Sequence, residues 1–143
     1  MKLLFAKKEK ITVSQAKRKA WKTFSEYIRT RDCLKTTGKR FVGLCVTCGR
    51  GYGFKELQAG HWLPGRHSSV LFNERNAHAQ CYSCNVMLKS NPIKYFHFME
   101  KTYTKEEMHG LELLDAIPKQ FKVPELVATQ KYYQEKLNNL IKE

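Results

Sequence analysis

Four of the five cysteines form two pairs with the same spacing, C-V-T-C at 45–48 and C-Y-S-C at 81–84. Each C-x2-C turn can supply two thiolates to one metal ion, and two such turns complete the tetrahedral shell of zinc. A shell of four cysteines has no open position, so we expect structural zinc; two unconnected pairs are the simpler alternative. Cys33 lies apart from both pairs, and we expect a free thiol in or near the core. The expected ligands are Cys45, Cys48, Cys81 and Cys84.

Polar residues that could catalyse a reaction lie between and beside these pairs. His61 lies between them, Asn76 precedes the second pair by five residues, and Asn85 follows it directly. This order resembles the HNH, or ββα-metal, nuclease motif in its H-N-N form. The resemblance implies a general base at His61, a brace for the histidine loop at Asn76 and a ligand of a catalytic divalent cation at Asn85. These residue types suit phosphodiester hydrolysis, because a neutral imidazole can deprotonate water and an amide oxygen is a hard ligand for magnesium or manganese.

A longer resemblance covers most of the chain. The runs that carry it are A-G-H (59–61), F-N-E-R-N-A-H-A-Q-C (72–81), C-N (84–85) and S-N-P-I-K-Y (90–95). They are similar to the phage lambda NinG family, whose lambda member is also called Rap, and the similarity extends from around Ser14 to about residue 100 and into the helical tail. This resemblance implies a phage recombination endonuclease that acts on branched DNA such as Holliday junctions and D-loops, with a functional link to a phage recombinase.

One position departs from the broader HNH pattern. Many HNH nucleases carry a metal-binding aspartate directly before the catalytic histidine, whereas this chain has Gly60 there. The catalytic cation site expected at Asn85 and His61 then needs another ligand, and water with the scissile phosphate could also complete the shell because magnesium retains several waters. The candidate protein ligands are His78, Glu74 and Glu56. His78 is also a candidate catalytic residue, although a buried structural imidazole would fit the sequence equally well.

The charge balance predicts a polyanionic partner. The chain has 26 Lys and Arg against 13 Asp and Glu, a formal net charge of +13. Nucleic acid is the leading candidate, and an anionic membrane surface is the weaker one because the aromatic residues are not gathered on one basic helix. No apolar run approaches the roughly 20 residues of a membrane-spanning helix, and the apolar run at the start is too short for a signal peptide. We therefore expect a phage-encoded protein in the cytoplasm of the bacterial host.

Basic side chains near the proposed centre are the expected phosphate contacts. Arg66, His67 and Arg75 lie closest to it in the sequence, and Lys89 and Lys94 come next. An ordinary solvated charge is the alternative for each of them. The first predicted helix has a basic face that could be either solvated surface or a contact with the DNA backbone. The residues of that face are Lys17, Arg18, Lys19, Lys22 and Arg29.

Periodicity and breaker residues predict an α+β fold, a small zinc-stabilised ββα-metal (HNH-like) core with additional N- and C-terminal helices. Within one compact domain we expect a basic leader and helix at 1–40, the zinc-pinned core at 41–100 and a helical extension at 101–143. The predicted elements are a helix at 13–32, a turn at 36–40, strands at 41–46 and within 54–63, a short helix at about 82–89, and helices from Pro92, from Thr104 to about Ile117 and from Pro124 to about Lys142.

Three function classes fit these observations. The first is an HNH-type endodeoxyribonuclease with structural zinc and catalytic magnesium or manganese. The second is a non-catalytic zinc module that recognises DNA structure in recombination, and the third is an RNA-cleaving enzyme. A homodimer would suit a four-way junction, whose cleavage sites are related by approximate two-fold symmetry. The last helix carries an apolar stripe that could pack onto the domain or form such a dimer: Tyr133, Leu137, Leu140 and Ile141.

Overall fold

A computed structural model describes residues 10–65 and 68–142, in which helices surround two small antiparallel sheets. In chain order the elements are α1 (Val13–Thr37), β1 (Val42–Leu44), β2 (Gly51–Gly53), β3 (Leu57–His61), β4 (Ala77–Cys81), α2 (Pro92–Thr102), α3 (Lys105–Asp115) and α4 (Val123–Lys142). A 3₁₀ turn at Phe54–Glu56 precedes β3, and one π-helical turn at Ser83–Met87 follows β4. Residues 1–9 of the predicted leader, and the predicted phosphate contacts Arg66 and His67, lie outside the described residues.

Helix α1 is the longest element and forms one wall of the molecule. Thr12 and Gln15 form a capping box at its start, and Gly38, with φ 72°, accommodates the left-handed turn at its end. The helix continues five residues beyond the predicted end at residue 32, because Asp32 and Cys33 still belong to its buried face. The apolar residues of that face are Ala16, Ala20, Phe24, Tyr27 and Ile28.

The two sheets place the cysteine pairs and the candidate catalytic residues close to one another. Strands β1 and β2 form a hairpin whose turn carries the first C-x2-C pair, so the predicted strand at 41–46 ends earlier, at Leu44. Strands β3 and β4 pair antiparallel from Leu57 opposite Cys81 to His61 opposite Ala77. The helix predicted at about 82–89 is only the π turn, because three left-handed residues at 89–91 redirect the chain into α2.

Buried polar groups of α1 bind the backbone of β4 and the segment before it. The Asp32 carboxylate accepts a hydrogen bond from the Ala79 amide at 2.7 Å and pairs with Arg31 at 2.8 Å. The Arg31 guanidinium donates to the carbonyl oxygens of Glu74 and Ala77, each at 2.8 Å. These bonds satisfy backbone groups on the edge of β4 opposite β3, where the Val46 amide also donates to the Ala79 carbonyl.

Helix α4 packs against α1 and completes the main apolar cluster. Tyr133 and Leu137 are buried against Phe24, Tyr27 and Ile28, so most of the apolar stripe predicted on α4 faces the inside of the chain. Leu140 is partly buried there, and Ile141 is 38% exposed. The α+β fold class is therefore confirmed. No helix in the part of the chain that the structure describes has the length and the apolar character needed to cross a membrane.

Replacing Asp32 with Ala should strongly destabilise the fold. The change leaves Arg31 without its buried partner and the Ala79 amide without an acceptor, and breaking such a buried pair costs about 3–5 kcal/mol. Urea denaturation followed by circular dichroism measures the loss. The matched control is Glu112→Ala, an exposed acid on α3, which should change stability by no more than about 0.5 kcal/mol. Equal urea midpoints for the two variants would contradict this role of Asp32.

Candidate metal centre and active-site groove

The four predicted zinc ligands form one cluster. The sulfur atoms of Cys45, Cys48, Cys81 and Cys84 all lie within 4.8 Å of one another, and those of Cys48 and Cys81 are 3.9 Å apart. Tetrahedral zinc with bonds of about 2.3 Å places its sulfur ligands about 3.8 Å apart. The cluster can therefore hold a metal ion such as zinc, and it offers that ion no open coordination position.

Hydrogen bonds to the sulfur atoms prepare the cluster for a cation. The Thr47 hydroxyl lies 3.2 Å from Cys45 Sγ, and the Asn91 side-chain amide donates to Cys84 Sγ at 3.6 Å. Burial raises the pKa of Cys45, but hydrogen bonds from Thr47 and from backbone amides outweigh it and lower that pKa to about 6. A thiolate is the form that binds metal, so these hydrogen bonds favour the metal-binding form of Cys45.

The fifth cysteine packs beside the cluster without joining it. Cys33 is fully buried on α1 in the apolar cluster that also contains Leu57 and Ala79. Burial, with a smaller effect of Asp32, raises the pKa of Cys33, which keeps the thiol protonated. Its placement in the core agrees with the sequence expectation.

His61 is the last residue of β3 and lines an open groove of about 1450 Å³. Its Nε2 lies 3.0 Å from the carbonyl oxygen of Leu71, and the ring packs against Trp21 with the centroids 5.0 Å apart. Because a carbonyl oxygen only accepts, this bond places the proton of a neutral imidazole on Nε2. The other ring nitrogen, Nδ1, is then the one that can take up a proton.

Asn76 directly precedes β4 and is fully buried. Its Oδ1 accepts from the Leu63 amide at 2.9 Å, and its Nδ2 donates to the Leu63 carbonyl at 2.8 Å. Its own carbonyl accepts from the Trp62 amide at 2.9 Å. Asn76 thus fastens the two residues that follow His61 to the neighbouring strand, which limits the movement of the histidine.

Asn85 projects from the π turn and lines the same groove as His61. Its Nδ2 donates to Gln58 Oε1 at 2.8 Å, and a Cβ atom added at Gly60 would lie 2.9 Å from Asn85 Oδ1. The amide oxygen therefore points toward the position from which an aspartate would project in the broader HNH pattern. The structure brings His61, Asn85 and position 60 to one place.

None of the three ligand candidates proposed to compensate for Gly60 lines this groove. Both ring nitrogens of His78 are hydrogen bonded to tyrosine hydroxyls, Nδ1 to Tyr95 at 3.0 Å and Nε2 to Tyr103 at 2.7 Å. Burial, with a smaller effect of nearby positive charge, lowers the pKa of His78 well below its ordinary value. Glu74 pairs with Lys136 at 2.8 Å, and Glu56 accepts from the Gly53 amide at 3.0 Å. Structural contacts thus hold all three side chains.

The groove is strongly cationic because α1 borders it. Lys17, Arg18 and Arg29 of the basic face predicted on that helix line the groove, together with Lys55. Arg18 also lines a second depression of about 720 Å³ that contains Lys10, Lys19 and Lys22. The positive surface therefore continues from the groove across α1.

Three of the predicted phosphate contacts lie elsewhere in the described part of the chain. Arg75 pairs with Glu107 at 3.2 Å, and neither Arg75 nor the exposed Lys89 and Lys94 line the groove. Only their nearness in sequence to the proposed catalytic residues indicated these three as phosphate contacts. Three of the cations that border the groove come from α1, more than 20 residues away in the chain, and the basic face of that helix indicated them. The fourth, Lys55, lies just before β3.

Gln80 is the residue of this site that the sequence prediction missed. It is completely buried on β4, and its side chain lies against Gly60 and close to Asn85 Oδ1. A glutamine in a strand whose five residues are all buried is unusual, because buried polar side chains need partners. The presence of a glutamine in this strand was the only sequence signal for its role in the site.

Replacing Cys81 with Ser should abolish metal binding and unfold the core. Structural zinc contributes about 10–16 kcal/mol of apparent binding free energy in small metal-dependent domains, which is more than most domains gain on folding. Metal content by plasma mass spectrometry and the circular dichroism melting curve measure the effect. The control, Cys33→Ala, should keep one zinc per chain because Cys33 lies outside the cluster. A Cys81→Ser protein with unchanged zinc content and melting would contradict the four-cysteine site.

Comparison with known proteins agrees with the resemblance seen in the sequence. A family model described as Bacteriophage Lambda NinG protein matches residues 3–143, which is nearly the whole chain. No curated protein and no solved structure matches it. The matched range spans the four clustered cysteines as well as His61, Asn76 and Asn85. The chain therefore belongs to the lambda NinG family, and this membership implies a function connected with phage recombination.

Proposed function

We propose that this protein is a metal-dependent, structure-selective DNA endonuclease of the HNH type that cuts branched recombination intermediates such as Holliday junctions and D-loops. The observation that carries the proposal is that His61 and Asn85 line one groove, which also contains the cations of α1. A base, a hard oxygen ligand and a phosphate-binding surface in one place are what phosphodiester hydrolysis requires.

The order of elements around the groove supports an HNH-type core. Strands β3 and β4 and the π turn follow one another as two antiparallel strands and a helical segment, with His61 at the end of the first strand and Asn85 in the helical segment. The four-cysteine cluster joins the end of β4 to the β1–β2 turn. In this interpretation Asn76 is a positioning residue, because it contacts the backbone beyond His61 and not the groove.

His61 is the proposed general base. The hydrogen bond from Nε2 to Leu71 and the contact with Trp21 hold the ring in one orientation, so Nδ1 can take the proton of an attacking water. Asn85 Oδ1 fits magnesium or manganese because amide oxygens are hard, neutral ligands. A divalent cation at this position supplies charge that offsets the negative charge developing on the phosphate and the leaving oxygen.

The cationic groove is the proposed DNA surface. Its lysines and arginines would bind phosphates without reading bases, so selectivity for branched DNA would arise from shape and from the direction in which the arms leave the groove. Two copies of the chain would place two groove centres on one junction, as the two-fold symmetry of the substrate requires. We propose such a homodimer, acting alongside a phage recombinase.

The decisive experiment compares the wild type with His61→Ala on a labelled Holliday junction, a D-loop, the matching linear duplex and a folded RNA, each with Mg²⁺, Mn²⁺ or EDTA. His61→Ala should reduce metal-dependent junction cleavage by at least about 100-fold while junction affinity changes less than about twofold, because removing a general base typically costs this much. The control, His109→Ala, changes an exposed histidine on α3 and should cut normally.

Each other result of this experiment assigns a different function. Tight binding of the junction by both proteins without cleavage under any metal would favour the non-catalytic module. Preferential cleavage of the RNA would favour a ribonuclease. Normal cleavage by His61→Ala would remove His61 as the base.

Charge reversal in the groove should weaken DNA binding and reduce its salt dependence. The double variant Arg18→Glu/Lys55→Glu changes two exposed cations that line the groove. Each lost phosphate contact should reduce the slope of log affinity against log salt by about 0.9. The matched control, Lys101→Glu/Lys131→Glu, makes the same charge change on exposed positions outside the groove. Fluorescence anisotropy at several salt concentrations measures both slopes, and equal slopes for the two variants would place the DNA elsewhere.

A further inference from the structure

The space beside Gly60 is already occupied. A Cβ atom at position 60 would overlap Gln80 Oε1 and would lie 2.8 Å from Gln80 Cδ and 2.9 Å from Asn85 Oδ1. The chain therefore has no room for the aspartate of the broader HNH pattern while Gln80 is present. The same geometry means that two amide oxygens, from Gln80 and Asn85, both lie next to the Gly60 Cα.

Gln80 Oε1 is an acceptor that the protein leaves unsatisfied. Gln80 is 0% exposed, and among the buried side-chain nitrogen and oxygen atoms of the described residues its Oε1 alone has no hydrogen-bond partner. Burying such an atom without a partner destabilises the fold, so native proteins usually provide one. An oxygen ligand for a cation is a role that would account for it.

The orientation of this amide is determined by its other end. Gln80 Nε2 donates to the Ser90 carbonyl at 2.9 Å and to the Thr47 hydroxyl at 3.1 Å. Rotating the amide by 180° would place two oxygens against each other at Ser90, because a carbonyl can only accept. The oxygen of Gln80 therefore faces Gly60 and Asn85.

The zinc cluster supports this orientation. A cysteine bound to zinc carries no proton, so the Thr47 hydroxyl must donate to Cys45 Sγ, and its lone pair is then available to Gln80 Nε2. A chain of two hydrogen bonds thus runs from a zinc ligand to the amide of Gln80. The four-cysteine cluster thus also positions the oxygen that faces Gly60 and Asn85.

We propose that Gln80 Oε1 is a second protein ligand of the catalytic divalent cation, bound together with Asn85 Oδ1, in place of the carboxylate that Gly60 cannot provide. This inference rests on the proposed function. Both ligands are neutral amides, so the cation keeps its full charge and binds more weakly than it would beside a carboxylate. Phosphate oxygens of the DNA then complete the site, and cation and substrate bind cooperatively.

The test is Mn²⁺ binding to the zinc-saturated full-length protein, with free Mn²⁺ followed by electron paramagnetic resonance. Gln80→Ala should weaken binding by about tenfold or more, whereas Gln120→Ala, at an exposed glutamine, should leave it unchanged. The double variant Gly60→Asp/Gln80→Ala should bind at least as tightly as the wild type, because the shortened side chain at position 80 makes room for a carboxylate at position 60.

The double variant separates loss of a ligand from loss of structure, because both variants lack the hydrogen bonds of Gln80 to Ser90 and Thr47. Weaker binding by Gln80→Ala supports the proposal if zinc content and melting temperature are retained, or if Gly60→Asp/Gln80→Ala recovers affinity. Unchanged Mn²⁺ affinity in Gln80→Ala overturns it. The proposal is also overturned if Gln80→Ala loses Mn²⁺ binding together with zinc content or thermal stability and the double variant does not recover it. A wild type that binds no Mn²⁺ overturns it as well.

Junction cleavage by the same proteins distinguishes failure of this inference from failure of the proposed function. A wild type that cuts junctions, together with a Gln80→Ala variant that binds Mn²⁺ normally, contradicts only the role of Gln80. A wild type that binds Mn²⁺ through Gln80 but cuts no nucleic acid contradicts the nuclease and leaves the cation site intact.

Discussion

Three short segments meet at the sulfur atoms of the four-cysteine cluster: the β1–β2 turn, the end of β4 and the π turn. None of them has enough length to be stable alone, since β1 and β2 have three residues each and the π turn is a single turn. Bonds from these thiolates to a metal ion would replace the apolar core that such small elements cannot build. The positions of Asn85 and Gln80, which flank Cys84 and Cys81, depend on this one cluster.

The same cluster stabilises a strained backbone. Lys89, Ser90 and Asn91 have φ angles of 49°, 74° and 51°, in the left-handed region that residues with side chains seldom adopt. Strain of this kind costs about 1–3 kcal/mol for each residue. The hydrogen bond from Asn91 to Cys84 and that from the Ser90 amide to the Asn85 carbonyl hold the segment in place. The Ser90 carbonyl of this segment accepts a hydrogen bond from the side chain of Gln80.

Features that depend on local spacing could be predicted from the sequence. The paired cysteines indicated one cluster, and the capping box at Thr104 correctly located the start of α3. The apolar stripe of α4 likewise predicted its packing, because amphipathic periodicity shows which face is buried. Such signals need only a few neighbouring residues.

Features that depend on distant contacts could not be predicted. His78 and Gln80 differ by two positions on one strand, and only the fold shows that tyrosines surround His78 whereas Gln80 Oε1 points toward Gly60. No sequence signal near residues 89–91 predicted three consecutive left-handed residues, none of which is a glycine. Most cations of the groove come from α1, which is distant from His61 in the sequence, whereas Arg75 does not line the groove and pairs with Glu107.

The contact between α1 and α4 also has a consequence for biosynthesis. The apolar face of α1 is synthesised before Tyr133 and Leu137, which cover part of it and lie about 100 residues later in the chain. At about 5–20 residues per second, on the order of ten seconds pass between the synthesis of α1 and that of the α4 residues that cover it. During that time its exposed face is available to chaperones or to premature association. The helix that carries much of the groove's positive charge reaches its final packing only after α4 has been synthesised.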